Sequence, residues 1–125
     1  MIFIDTHIVV WLYAGLTEKL TDKVVELIEN NDLYISNMVR LELQYLYEIG
    51  RVTENPDTIL DELFKAIGLK ISFMDTKLVF DSALLQSWTR DAFDRLITAE
   101  AIVMDTFLIT KDKKIRGNYD KAVWS

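Results

Sequence analysis

Four short apolar runs divide this chain of 125 residues: Met1–Ile4, Leu33–Ile35, Leu69–Phe73 and Phe107–Ile109. Longer stretches with a helical repeat of apolar residues lie between them. A strand buried on both faces reads as a continuous apolar run, not an alternating one. Strands of that kind alternating with helices build βαβ units and a parallel sheet. The predicted fold is therefore α/β, with a short, mainly parallel central sheet between two helical layers. The length suits one domain, residues 1–125. Half of the residues are hydrophobic, enough for a sizeable core.

Capping residues mark the helices. Thr6 is the predicted N-cap of a helix through Val9, Val10, Trp11 and Leu12 that stops near Gly15. Thr21 opens a second, carrying Val24, Val25, Leu27 and Ile28 and ended by Asn30-Asn31-Asp32. Ser36 or Asn37 caps a third, from Met38 to Ile49, closed by Gly50. Asn55 before Pro56 starts a fourth, because proline is preorganised for the first helical position; Gly68 stops it. Thr76 opens a fifth through Val79, Leu84 and Leu85, and Asp91 to Met104 forms a sixth. Ala122 to Trp124 is expected to add a short edge strand. No internal repeat or linker interrupts this order.

Four acidic residues stand beside these apolar segments: Asp5, Glu42, Asp94 and Asp112. In open parallel sheets, ligands bind beyond the carboxyl ends of the strands. Asp5 ends the first run and Asp112 follows the fourth. Glu42 and Asp94 belong to early turns of helices that leave the same edge. Topology thus lets four acids distant in sequence converge. Neighbouring carboxylates repel, and burying them is costly unless a positive partner joins them. A hard divalent cation such as Mg²⁺ suits an oxygen-only cluster. With no Cys and a single His, zinc and haem sites have almost no ligands to draw on.

The same composition excludes a disulfide scaffold and fits a reducing cytoplasm. The start, Met1-Ile2-Phe3-Ile4-Asp5, lacks the basic region of a signal peptide. No apolar run approaches the ~20 residues that span a bilayer, so no membrane partner is expected. A net charge of −6 opposes a purely electrostatic nucleic-acid binder but leaves room for an enzyme with bound metal and a local basic patch.

These positions also resemble a family. Ile4-Asp5-Thr6-His7 leading into Trp11-Leu12, Ser36 with Leu41-Glu42-Leu43, Arg90-Asp91-Ala92-Phe93-Asp94-Arg95-Leu96-Ile97, and Leu108-Ile109-Thr110-Lys111-Asp112 stand in one order across nearly the whole chain. In that order they resemble the PIN-domain ribonucleases, and among them the VapC-like toxins of type II toxin–antitoxin systems. The resemblance implies a PIN-like α/β/α fold, Mg²⁺- or Mn²⁺-dependent cleavage of RNA, a homodimer and a cognate antitoxin. Its acidic set falls on Asp5, Glu42, Asp94 and Asp112, with Asp91 as an accessory acid. The chain departs from the pattern at Ala92, where Pro is frequent, and at Val39 and Leu41, where Ser and Trp are common. None of these departures removes a carboxylate.

Each position also has a plainer role open to it. Asp5 can cap the first helix, Asp91 and Asp94 have the spacing of a capping pair, and Asp112 fits a turn. Thr110 serves either that turn or a carboxylate, and Thr6 either a cap or the site. His7 reads as a structural hydrogen-bonder rather than a general base. Trp11, Tyr13, Tyr45, Tyr47 and Trp88 could stack on bases, but at helical spacing they read first as core or dimer interface. Arg90, Arg95 and Lys111 are the foremost phosphate contacts, followed by Lys113, Lys114 and Arg116. A homodimer also follows from a surplus of large apolar helix residues, Leu43, Leu46, Tyr47 and Phe64. Two other functions compete with a metal-dependent nuclease. One is a PIN-like module that binds RNA or a protein without catalysis. The other is a phospho-accepting receiver domain using Asp5, Asp75, Thr110 and Lys111, which leaves Glu42 and Asp94 without a role.

Overall fold

The computed structural model describes residues 1–73 and 75–125. Its elements run β1 (Ile2–Ile4), α1 (Thr6–Tyr13), α2 (Asp22–Glu29), β2 (Leu33–Ile35), α3 (Asn37–Glu48), α4 (Pro56–Ile67), β3 (Lys70–Ile71), α5 (Thr76–Leu84), α6 (Ala92–Met104), β4 (Leu108–Ile109), α7 (Lys113–Arg116) and β5 (Ala122–Val123). A 3-10 turn at Thr17–Lys19 precedes α2.

Five strands form one sheet in the order β3-β2-β1-β4-β5, and every pairing is parallel. β1 lies at the centre, with Phe3 opposite Tyr34 on one side and Leu108 on the other. All three residues of β1 are buried. Successive strand residues point to opposite faces, so both faces of the sheet are covered and the architecture is three-layered. The main core gathers Ile2, Phe3, Ile4, Leu33, Ile35, Leu108 and Ile109 from the sheet. Ile8, Val9, Val24, Val39, Leu43, Ile59, Leu63 and Ile97 meet them from the helices. Each such side chain contributes roughly 1.5–3 kcal/mol through burial.

Several boundaries differ from those the sequence predicts. Asp5, not Thr6, caps α1: its carboxylate accepts from the Thr6 N–H and its carbonyl from the N–H groups of Ile8 and Val9. Thr6 becomes the first helical residue, and its hydroxyl is free for another partner. Ser36 is the cap of α3. β3 is shorter than Leu69–Phe73. Leu69 follows left-handed Gly68 (φ +72°) and closes the end of α4 by donating to Leu63 O, while Phe73 stands in solvent. Ser72 N–H still reaches Ile35 O at 2.9 Å. α7 was not foreseen; Asp112 caps it, accepting from the N–H groups of Lys114 and Ile115. Leu43 belongs to the core rather than to any surplus surface, and Leu46 is half-buried. The side chains of Tyr47 and Phe64 are exposed as expected.

Candidate functional site

The chain proceeds from β1 outward to β2 and β3, then returns to the other side of β1 for β4 and β5. The strand order therefore reverses between β1 and β4, the position where open α/β sheets leave a crevice. Asp5 closes β1 at that point, and its N–H donates to Ile109 O at 3.0 Å. The carboxylate is buried and held at both ends. Oδ1 accepts from Thr6 N–H at 2.7 Å, and Oδ2 accepts from the Thr110 hydroxyl at 2.6 Å. Burial pushes its pKa up. The bonds from Thr110 and Thr6 and the charge of His7 oppose the rise, and Asp112 adds to it.

Thr6 spans two acids. Its backbone caps against Asp5, and its hydroxyl donates to Oε1 of Glu42 across from α3. Burial also raises the Glu42 pKa, against the Thr6 bond and with help from Asp5 and Asp91. Thr110 has the matching position beyond β4. It donates to Asp5, and its oxygen accepts from Asp112 N–H at 3.1 Å. Two threonines thus tie Asp5 to Glu42 and to the Asp112 segment.

Asp94 is the most perturbed of the set. It lies in the first turn of α6, half-buried, with its pKa pushed up to about 7. Burial is the first cause, followed by the charges of Asp91, Asp5, Asp112 and Glu42. Nothing opposes the rise. Carboxylates from four separate segments therefore act on one another at one edge of the sheet. Asp91 serves in two ways: it caps α6, accepting from Asp94 N–H at 3.1 Å, and its charge bears on Asp94 and Glu42.

The basic residues nearest in sequence are partly engaged elsewhere. Arg95 Nε donates to Thr89 O at 2.8 Å and Arg90 to Ser87 O at 3.1 Å, so both brace the loop before α6. Arg116 donates to Lys111 O. Lys111 is exposed, and its ammonium lies over the Trp11 ring. A cavity of about 320 Å³ opens beside the acids, lined by Asp5, His7, Trp11, Lys111 and Asp112. A larger cavity of about 690 Å³ between α3 and α4 holds none of the four acids and is crossed by the Arg40–Asp57 ion pair.

Among the described residues, no three His, Cys, Asp or Glu side chains are arranged to close on one metal ion. The donor chemistry nonetheless fits a hard divalent cation. The donors are all oxygens, their charges crowd one another, and no Lys or Arg among the described residues forms an ion pair with them. Mg²⁺ takes one or two carboxylates directly and keeps several waters, so two inner ligands with the rest acting through water is the coordination this set suits. Asp5 and Asp94 would be the inner pair.

Two features gain their meaning only from the structure. His7 and Trp11 stand four residues apart on one face of α1, and that face lines the acid cavity; the spacing was visible, but only the cavity gives it meaning. Glu100 is buried in α6 with its Oε2 unpartnered, and nearby Ser72 and Ser36 oppose the rise in pKa that burial causes. No carboxylate acts on it, so it stands apart from the cluster.

The PIN domain family model matches residues 2–121. No curated protein matches the sequence. Two solved structures share the fold across the whole chain. VapBC2 from Rickettsia felis, crystallised bound to a DNA fragment from its promoter, superposes with a TM-score of 0.71 at 23% identity, covering 100% of both chains. FitAcB from Neisseria gonorrhoeae superposes with a TM-score of 0.53 at 20% identity, covering 100% of this chain and 97% of that one. No helix among the described residues is long and apolar enough to cross a membrane.

Proposed function

The chain belongs to the PIN-domain family, and from that premise we propose that it is a metal-dependent endoribonuclease acting as the toxin of a toxin–antitoxin pair. One observation carries the reading: Asp94 is held at a pKa of about 7 by burial and by Asp91, Asp5, Asp112 and Glu42 together. Three of these acids cap helices, but a fold gains nothing from setting their charges against Glu42 and Asp94. A site that receives a cation does.

Bound Mg²⁺ or Mn²⁺ would supply an activated water and stabilise charge on the leaving oxygen of a phosphodiester. The protein's part is to hold the donors still and to manage protons. Thr110 and Thr6 fix both oxygens of Asp5, so that carboxylate is preorganised toward the crevice. Glu42 is fixed from α3 by the Thr6 hydroxyl. Asp94, with its pKa pushed up to about 7, would give up its proton near neutral pH to join Asp5 in holding the ion. Lys111 supplies positive charge at the rim, where a phosphate would approach.

Membership in the PIN family removes the receiver reading. Asp75 also caps α5 with its carboxylate, and the Thr110 hydroxyl is committed to Asp5. An antitoxin follows from the likeness of the four motifs to VapC-like toxins. The acidic crevice would accept an Arg from such a partner, since a planar guanidinium binds carboxylates bidentately. A homodimer is proposed on exposed Leu41, Tyr45 and Ile49, at four-residue spacing along α3 and the residue that caps its C-terminal end. Purified protein incubated with a labelled structured RNA tests the central reading. Cleavage should require Mn²⁺ or Mg²⁺ and vanish in Asp94→Asn. Metal-dependent cleavage that persists in pure Asp94→Asn removes the assignment, and folded protein that binds RNA without cutting it favours the non-catalytic module.

A further inference from the structure

An acidic protein that cuts a polyanion needs a local means of holding it. Trp11 organises such a surface. The ammonium groups of Lys19 and Lys111 lie 5.6 and 5.8 Å from its ring centroid, within cation–π range. Lys19 reaches the ring from the 3-10 turn after α1, and Lys111 from the segment after β4. Trp124 supports the ring from the C-terminal end of the chain, with centroids 5.9 Å apart. His7, exposed and one helical turn before Trp11, sets its imidazole 6.2 Å from the same ring. His7, Trp11 and Lys111 share the 320 Å³ cavity with Asp5 and Asp112. That volume lies at the lower end of the range for small-ligand sites, the scale of a single nucleotide.

Resting on the nuclease reading, we propose that this cavity is a nucleotide subsite next to the scissile phosphate, its base against His7 and its phosphate held by Lys111. The chemistry separates cleanly. Asp5 and Asp112 form one wall and repel phosphate, so the backbone must enter where positive charge offsets them. Lys111 provides that charge at the cavity wall, and the Trp11 ring holds its ammonium there. Aromatic faces accept any base, so the subsite confers affinity and register rather than sequence. The ligand class is single-stranded RNA, because a paired base cannot turn its face to the protein.

The test uses the full chain carrying Asp94→Asn, in EDTA, with a fluorescein-labelled single-stranded RNA followed by anisotropy. Adding His7→Ala should weaken binding about tenfold, equivalent to about 1.4 kcal/mol, and His7→Phe should restore it. Lys111→Gln should weaken binding several-fold and flatten its salt dependence. An abasic strand of the same length should bind His7→Ala and its parent alike, a comparison that a merely structural histidine would not satisfy. In the cleavage-competent chain with Mn²⁺, His7→Ala should raise KM by a larger factor than it lowers kcat. If the parent binds and the Mn²⁺-loaded chain cleaves RNA while His7→Ala and Lys111→Gln bind as tightly as the parent, the subsite is overturned and the nuclease stands. If the folded chain neither binds nor cleaves RNA, both fall together.

Discussion

The hydroxyl of Thr110 donates to Oδ2 of Asp5 at 2.6 Å, joining two neighbouring strand ends across 105 residues of sequence. The same oxygen accepts from the N–H of Asp112. One buried hydroxyl thus holds the central acid of the cluster and positions the segment that carries another. The consequences can be measured.

Thr110→Val keeps the shape and removes both bonds. A buried carboxylate that loses a hydrogen-bond donor costs roughly 1–3 kcal/mol. Urea unfolding at pH 7 should show a loss in that range, with cleavage reduced as well. Unaltered stability would mean that water replaces the hydroxyl without cost.

Asp94→Asn should stabilise the metal-free protein at neutral pH. The folded-state pKa of Asp94 is raised to about 7 from an ordinary 3.8. The folded state therefore binds a proton more tightly than the unfolded one. Stability from this group is fully present below pH 4 and is lost as the pH rises through 7. Asn has no such loss. The gain, on the order of 1 kcal/mol once solvent screening at this half-buried position is allowed for, should be present at pH 8 and absent at pH 3.5. Thermal melts at both values in EDTA check it. RNA cleavage in the same variant should be lost, because an amide replaces a carboxylate that would hold the ion.

Metal binding should compete with protons. Asp5, Glu42 and Asp94 all hold protons more tightly than usual, and a carboxylate must be ionised to act as a ligand. Mn²⁺ affinity measured by calorimetry should rise with pH and level off above about 7. A flat profile between pH 5.5 and 8 would exclude Asp94 from the site.

Excess Mn²⁺ should raise the melting temperature of the wild-type chain, since a ligand that binds only the folded state stabilises it by mass action. EDTA should reverse the shift, and the double variant Asp5→Asn, Asp94→Asn should show none. A shift of equal size in that variant would place the ion elsewhere.

Sedimentation at micromolar concentration should report twice the chain mass of 14.6 kDa. Ile49→Glu, at the C-terminal cap of α3, should return the monomer without unfolding it. A wild-type monomer that does not self-associate on further concentration argues against the dimer.

Much of the frame was legible because it depends on local chemistry. Pro56 after Asn55, Gly68 and the unbroken apolar run before Asp5 each allow few conformations, and the helices and strands stand close to where they were predicted. The capping residue of α1 was misplaced by one position because Asp and Thr are both good caps. What decided between them was Glu42, which claims the Thr6 hydroxyl from 36 residues away. α7 was missed because four residues carry too little periodicity to register.

The sequence by itself determined the α/β alternation, the parallel sheet and the acids placed at strand ends and helix starts, since periodicity, capping and charge are written residue by residue. Only the tertiary structure decided how those acids act on one another. Asp94 reaches a pKa of about 7 because α6 partly buries it and adds to the charge of neighbouring Asp91 those of Asp5, Asp112 and Glu42. Desolvation and Coulomb repulsion depend on distance in space and on the surrounding medium, and neither is encoded at any single position of the chain.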